Sequence, residues 1–252
     1  MLIASELDGE AGYFVFDTGA DAIVINRETD INDVISFETI TGTISTTRIL
    51  VNKIKIGNYV VNDVDAYAYD LSSIEKFTNK NLLGIIGTKF LEGEVLFIDN
   101  VNNVIQILDR KLVKNTSGQQ FIRSKIWIEN GIPIVPLKIG DKEYKFGLDT
   151  GSSVSIISNH VISSNPTFFT DNLMQIEVYT IDEDSTDDQR TVTADSVQFG
   201  MMSIENLQFG ITDLEAINSE LETKLDGIIS LNQIPIKKIY IDLKNSQILM
   251  LP

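Results

Sequence analysis

The sequence predicts an all-β protein built from two similar halves. Three observations lead there. Most of the 252 residues fall in short alternating or β-branched stretches bounded by Gly, Asn and Asp, which is the spacing of strands and hairpins. Only two segments, Leu71 to Phe77 and Leu214 to Leu221, read as helices, and both are short. The text of the first half also recurs in the second, and an internal repeat fixes architecture before any single element does.

The repeat is carried by matched words. Phe14-Val15-Phe16-Asp17-Thr18-Gly19-Ala20 returns 132 positions later as Phe146-Gly147-Leu148-Asp149-Thr150-Gly151-Ser152. At an offset of 143, Ile54-Lys55-Ile56-Gly57 returns as Val197-Gln198-Phe199-Gly200. Gly84-Ile85-Ile86-Gly87 returns as Gly227-Ile228-Ile229-Ser230, and Phe97-Ile98-Asp99 as Tyr240-Ile241-Asp242. The change of offset means that the second half carries 11 extra residues, most of them between Ile157 and Met174. Two copies are too few for a solenoid; two lobes about a pseudo-twofold axis are the expected outcome.

The individual elements follow from local chemistry. Asp8-Gly9, Asn102-Asn103, Asn130-Gly131, Gly140-Asp141 and Asn245-Ser246 are hairpin-turn pairs, since Gly and Asn accept the positive φ that tight turns require. Asp70 and Asp213 precede the two helical segments and suit N-caps. Lys111 to Gln120 is polar around Asn115-Thr116-Ser117-Gly118, and it divides the chain into an N-terminal lobe (1–110), a linker (111–120) and a C-terminal lobe (121–252).

Composition excludes several functions. A hydrophobic content of 43% supplies a core, and no apolar run approaches a membrane span. The net charge of −16 argues against nucleic acid and anionic membrane surfaces, both of which call for clustered Lys and Arg. With no cysteine, disulfides, thiol catalysis and cysteine-bound zinc are excluded. His160, the sole histidine, is expected on a surface loop rather than in a nucleophilic triad. Asp182-Glu183-Asp184 with Asp187-Asp188 lacks the glycine and spacing of a calcium loop, so neither metal nor cofactor is expected.

A lone Asp-Thr-Gly says little, because all three residues are common turn formers. Two copies in two similar halves say more. Carboxyls held about 3 Å apart cannot both ionise, so one keeps a proton while the other can accept one. Such a pair can activate a water and protonate a leaving group.

These motifs, with the apolar-apolar-Gly element later in each half, resemble the aspartic peptidases over nearly the whole chain. The Asp-Thr-Gly-Ala ending is similar to the retroviral branch and Asp-Thr-Gly-Ser to the pepsin branch. The stretch from Gly84 to Leu91 looks like bacterial retropepsin-like proteins. The resemblance implies two retropepsin-like β-barrel lobes, with Asp17 and Asp149 as catalytic residues sharing a water at their interface. It implies that Thr18 and Thr150 bond across that interface, and that Gly19 and Gly151 admit a close backbone approach. Ser152 would place a hydroxyl on an active-site carboxyl, which Ala20 cannot do, leaving the two carboxyls unequal. Ile85-Ile86-Gly87 and Ile228-Ile229-Ser230 would thread behind the aspartate loops, with Ser230 reshaping the second. A substrate flap is expected at Thr41, Gly42 and Thr43, and a second around Tyr179 with an acidic tip disfavouring acidic substrates.

The expected activity is that of an aspartic-type endopeptidase acting on peptides or proteins, the alternative being a silent peptide-binding module of the same fold. A monomer is expected because both half-sites lie on one chain. Met1 aligns with Pro133, in mid-strand, and the second half has an extra piece, Phe121 to Ile132. The first lobe therefore reads as starting late, either because the chain was trimmed or because a leader was removed, as from an exported protein (periplasmic, cell-surface or secreted).

Overall fold

The computed structural model describes residues 1–28, 34–38, 43–91, 93–109, 121–176 and 189–252. The linker expected at 111–120 lies outside them.

Two barrels and a shared sheet make up the fold. In the first barrel, β1 (Leu2–Leu7), β2 (Glu10–Phe16), β7 (Leu82–Ile86), β3 (Ile23–Asn26), β6 (Tyr59–Tyr69) and β5 (Thr43–Ile56) are neighbours in that order. Pairing of Glu6 with Lys55 and Leu7 with Ile54 closes the ring, and β4 (Ile35–Glu38) flanks β5. The second barrel repeats this order with β12 (Ile132–Ile139), β13 (Lys142–Asp149), β18 (Gly227–Ser230), β14 (Ser155–Ile157), β17 (Met202–Ile211) and β16 (Gln189–Phe199). It closes through Leu137–Phe199 and Ile139–Val197, with β11 (Trp127–Glu129) and β15 (Phe169–Ile176) on its flanks. Closure removes the exposed edges that would otherwise invite aggregation.

Alternation drives each strand. Along β13, Tyr144, Phe146 and Leu148 point inward while Glu143 and Lys145 face water. Phe146 lies 5.9 Å from Phe209 across the second barrel.

The third sheet joins the halves. Its order is β10 (Ile122–Lys125), β20 (Gln247–Leu251), β19 (Lys238–Asp242), β8 (Val95–Asp99) and β9 (Val104–Leu108). Phe97 and Tyr240, which the repeat makes equivalent, are direct partners, and their rings stack at 4.5 Å. The pseudo-twofold axis therefore passes through this pair. Among the described residues, strand β10 has no counterpart in the first half, as expected of the extra piece in the second. The core is continuous across the join: Phe14, Phe16, Phe146 and Phe199 belong to one buried cluster with Ile98, Ile239 and Ile241.

Helices are few and short: α1 (Ser72–Thr78), α2 (Asn159–Ser164) and α3 (Glu215–Ser219) among the described residues. The first and third stand where the sequence places helices. Their aspartates sit one position further out than N-caps: Asp70 accepts from the Ser72 N–H and Asp213 from the Glu215 N–H, each at 2.9 Å. Helix α2 corrects the expectation of a loop at His160. It lies in the inserted segment, and His160 bonds Ser158 and Asp226, each at 2.7 Å. Asp226 directly precedes the Gly227-Ile228-Ile229-Ser230 word but stands 66 positions from His160, so the sequence carries no sign of their contact.

The Gly-Ile-Ile words have a steric cause. A Cβ on Gly84 would lie 2.0 Å from the Val24 carbonyl oxygen and 2.9 Å from the Phe14 ring. On Gly227 it would lie 2.2 Å from the Phe146 ring and 2.5 Å from the Ile156 carbonyl oxygen. These neighbours are themselves repeat equivalents, and only a missing side chain lets three strands close so tightly.

Candidate active site

The two Asp-Thr-Gly loops leave the ends of β2 and β13. Each of these strands runs parallel to an apolar-apolar-Gly strand: Phe16 pairs with Ile86, and Asp149 with Ser230. The Asp17 N–H donates to the Ile86 carbonyl at 2.9 Å. Both loops are thereby held at equivalent places, and the axis brings them face to face.

Four hydrogen bonds lock them together. Thr18 donates its hydroxyl to the Leu148 carbonyl at 2.6 Å, and Thr150 donates its own to the Phe16 carbonyl at 2.8 Å. Each hydroxyl also accepts a backbone N–H: Thr150 N–H to Thr18 at 3.1 Å, and Thr18 N–H to Thr150 at 3.0 Å. Both threonines are fully buried. Every polar atom of the two side chains is satisfied, as burial demands.

Asp17 and Asp149 meet above this lock and hydrogen-bond to each other. The glycines permit it. A Cβ on Gly151 would lie 2.6 Å from the Asp17 carboxyl carbon, and one on Gly19 would lie 3.1 Å from Asp149. Burial, then the charge of Asp149 and the bond to it, push the Asp17 carboxyl well above its ordinary value. The Gly19 N–H, donating to Asp17 Oδ1 at 2.7 Å, opposes this only in part. The Met1 nitrogen donates to the Thr150 carbonyl at 2.7 Å, and burial lowers its pKa against the attraction of both carboxyls.

The pair is unequal, but not for the reason the sequence suggested. Ser152 does not turn its hydroxyl to the carboxyl; it donates to the Val154 carbonyl at 2.6 Å. The Ser152 backbone N–H reaches Asp149 instead, at 2.9 Å, beside the Gly151 N–H at 2.5 Å. Asp149 thus receives two backbone donors and Asp17 one. The hydroxyl was wrongly assigned because it closes its own short turn, a local competition common in serine.

Behind the loops, a hydroxyl supports each chain carbonyl. In the first half, Thr88 donates both its N–H (2.8 Å) and its hydroxyl (3.2 Å) to the Ala20 carbonyl. In the second, the Ser230 hydroxyl donates to the equivalent Ser152 carbonyl at 2.6 Å, and the Asn232 amide donates to it at 2.8 Å. A Cβ at Gly87 would meet the Ala22 carbonyl oxygen at 2.4 Å. At Ser230 the backbone N–H faces the Ser155 hydroxyl rather than a carbonyl, at 2.9 Å, so a side chain fits. Thr88 and Asn232 escaped the sequence reading, which named Ser230 only as reshaping the second loop. A hydroxyl displaced by one position between the copies was the available signal.

The expected flap residues divide. Thr43 opens β5 and is exposed; Thr41, Gly42, Tyr179 and the acidic run 182–188 lie outside the described residues. Among the described residues, no helix is long and apolar enough to cross a membrane.

A family profile described as aspartyl protease matches the chain twice, over residues 3–90 and 135–232. The chain belongs to the aspartyl protease family, as a two-lobed, retropepsin-like member. No curated protein matches it.

Proposed function

We propose that the protein is an aspartic-type endopeptidase in which Asp17 and Asp149 activate a water between them. The observation that carries this reading is the mutually bonded carboxyl pair, Asp149 buried and Asp17 half-buried, on two threonine-locked loops. A pair of this kind holds one proton between two sites. The raised Asp17 keeps that proton, and the role of base falls to Asp149, which takes two backbone donors.

The chemistry then balances without a covalent intermediate. Asp149 takes a proton from the water as its oxygen bonds to the peptide carbonyl carbon, and Asp17 gives its proton to the carbonyl oxygen. The resulting diol collapses: the C–N bond breaks, the amine nitrogen takes the proton from Asp149, and a diol hydroxyl returns one to Asp17. The substrate lies as an extended strand between the lobes. One chain supplies both carboxyls, so a monomer suffices.

Cleavage of an unbiased peptide library from pH 3 to 7, with Asp17→Asn and Asp149→Asn beside the parent, tests the assignment. Cleavage by the parent that both variants lose, by at least a factor on the order of 1,000, is the expected result. Cleavage surviving both changes removes the pair from the chemistry. A parent that binds peptide and cuts none is the silent binding module.

A further inference from the structure

We propose that Ser230 is a positioning residue: through the Ser152 carbonyl, its hydroxyl holds the Ser152 N–H on Asp149 and so selects the charged side of the pair. The inference rests on the reading of Asp17 and Asp149 as a proton-sharing pair. It concerns a place where the second half-site breaks the pattern of the first.

The geometry runs in a short chain. Ser230 is fully buried, and its hydroxyl donates to the Ser152 carbonyl at 2.6 Å. Asn232 donates to the same oxygen from the exposed side at 2.8 Å. These two side chains fix the residue whose N–H donates to Asp149 Oδ1 at 2.9 Å. An N–H held on a carboxylate favours its charged form, and one free to turn away does so less.

The first half supplies an internal contrast. The Ala20 carbonyl is held as well, by Thr88. Asp17, however, takes its backbone bond from Gly19 and none from Ala20. Holding a carbonyl there does not deliver an N–H to the carboxyl. Support exists on both sides; only the second side converts it into charge preference. Among the described residues, the charged groups facing the pair are the two carboxyls themselves and the Met1 nitrogen. Ser230, Asn232 and Thr88 carry no charge, so replacing them leaves the surrounding field intact.

The test is a carboxyl-carbon NMR titration of the whole chain labelled in aspartate, with signals assigned through D17N and D149N. In S230A the first ionisation of the pair moves up by about half to one pH unit, the size of one lost hydrogen bond. N232A, at an exposed position that does not endanger folding, moves it the same way by less. T88A leaves it in place. In the cleavage assay the acid limb of kcat follows the same order, while KM stays within about twofold. An unchanged first ionisation in S230A overturns the proposal, as does an equal shift in T88A. Where S230A does not fold, an unchanged value in N232A overturns it. A parent that cleaves nothing counts against the peptidase reading alone, because the titration reads the pair without turnover.

Discussion

At the scale of single residues, the site is a problem in satisfying buried polar atoms. Two threonine hydroxyls do this reciprocally, each giving to a carbonyl and taking from an N–H of the opposite loop. Thr18→Val keeps the shape and removes two of these bonds, leaving the Leu148 carbonyl and the Thr150 N–H without partners. At about 1 kcal/mol for each lost bond, we expect about 2 kcal/mol of destabilisation, read from urea unfolding. A loss under about 0.5 kcal/mol, the range of a neutral surface change, would show that the lock is dispensable to the fold. The Asp-Thr-Gly words were legible in the sequence because their spacing and repetition are one-dimensional. The destination of the Ser152 hydroxyl was not, since a hydroxyl chooses among neighbours that only folding assembles.

At the scale of elements, the two halves reach the same docking with different side chains. Under α1 lies a buried group of Val24, Leu71, Leu82 and Ile85; under α3 lies its repeat, which includes Ile156, Leu214, Leu225 and Ile228. In the second half one residue, Asn218, ties the helix down, taking the Leu225 N–H at 2.7 Å and donating to the Leu225 carbonyl at 3.0 Å. The first half splits these two bonds between two residues. Glu75 takes the Leu82 N–H at 3.2 Å, and Asn26 donates to the Leu82 carbonyl at 3.0 Å. Asn218→Ala therefore leaves both backbone groups of Leu225 unpaired, whereas Asn26→Ala leaves the Leu82 N–H still bonded to Glu75. The expected costs are about 2 kcal/mol for the former and about 1 kcal/mol for the latter at the Leu82 carbonyl, with a further loss because Asn26 also accepts the Leu71 N–H. Chemical denaturation of Asn218→Ala and Glu75→Gln compares the two designs: the glutamine keeps an acceptor and should cost the less. Equal losses would refute the division of labour.

At the scale of the whole molecule, two carboxyls oppose each other in their response to pH. Asp99 accepts from the Asn102 side chain at 2.9 Å and pairs with Lys238 of the other half at 3.0 Å. The Asn102 bond first, and then Lys238, hold its pKa at about 2, below the ordinary 3.8. A lowered value means stability present above 3.8 and lost as pH falls toward 2. Asp17 has the reverse sign. Its value is raised, so its stabilising contribution is complete below 3.8 and is lost as pH climbs through the raised value. Melting temperature against pH should therefore fall on both sides. Asp99→Asn should flatten the fall between about pH 4 and 2, and Asp17→Asn the fall above about pH 4. A parent curve that both variants merely displace, with its slopes intact, would contradict both assignments. Asp242 repeats the bonding of Asp99, accepting from Asn245 at 2.6 Å, but Val95 stands opposite it where Lys238 stands opposite Asp99.

The sequence by itself determined the strand-rich class, the duplication, the two aspartate loops and the apolar words behind them. Each of these is written in periodicity or in local sterics, such as Gly84 and Gly227 closing against ring and carbonyl. Tertiary structure alone decided which donors reach each carboxyl, and that Ser230 could replace a glycine. It also decided that the last strands of the first half pair with the second across Phe97 and Tyr240. The reason is physical. A hydrogen bond between residues 132 positions apart, or a proton's choice between two facing carboxyls, depends on distances set by the packing of both barrels at once.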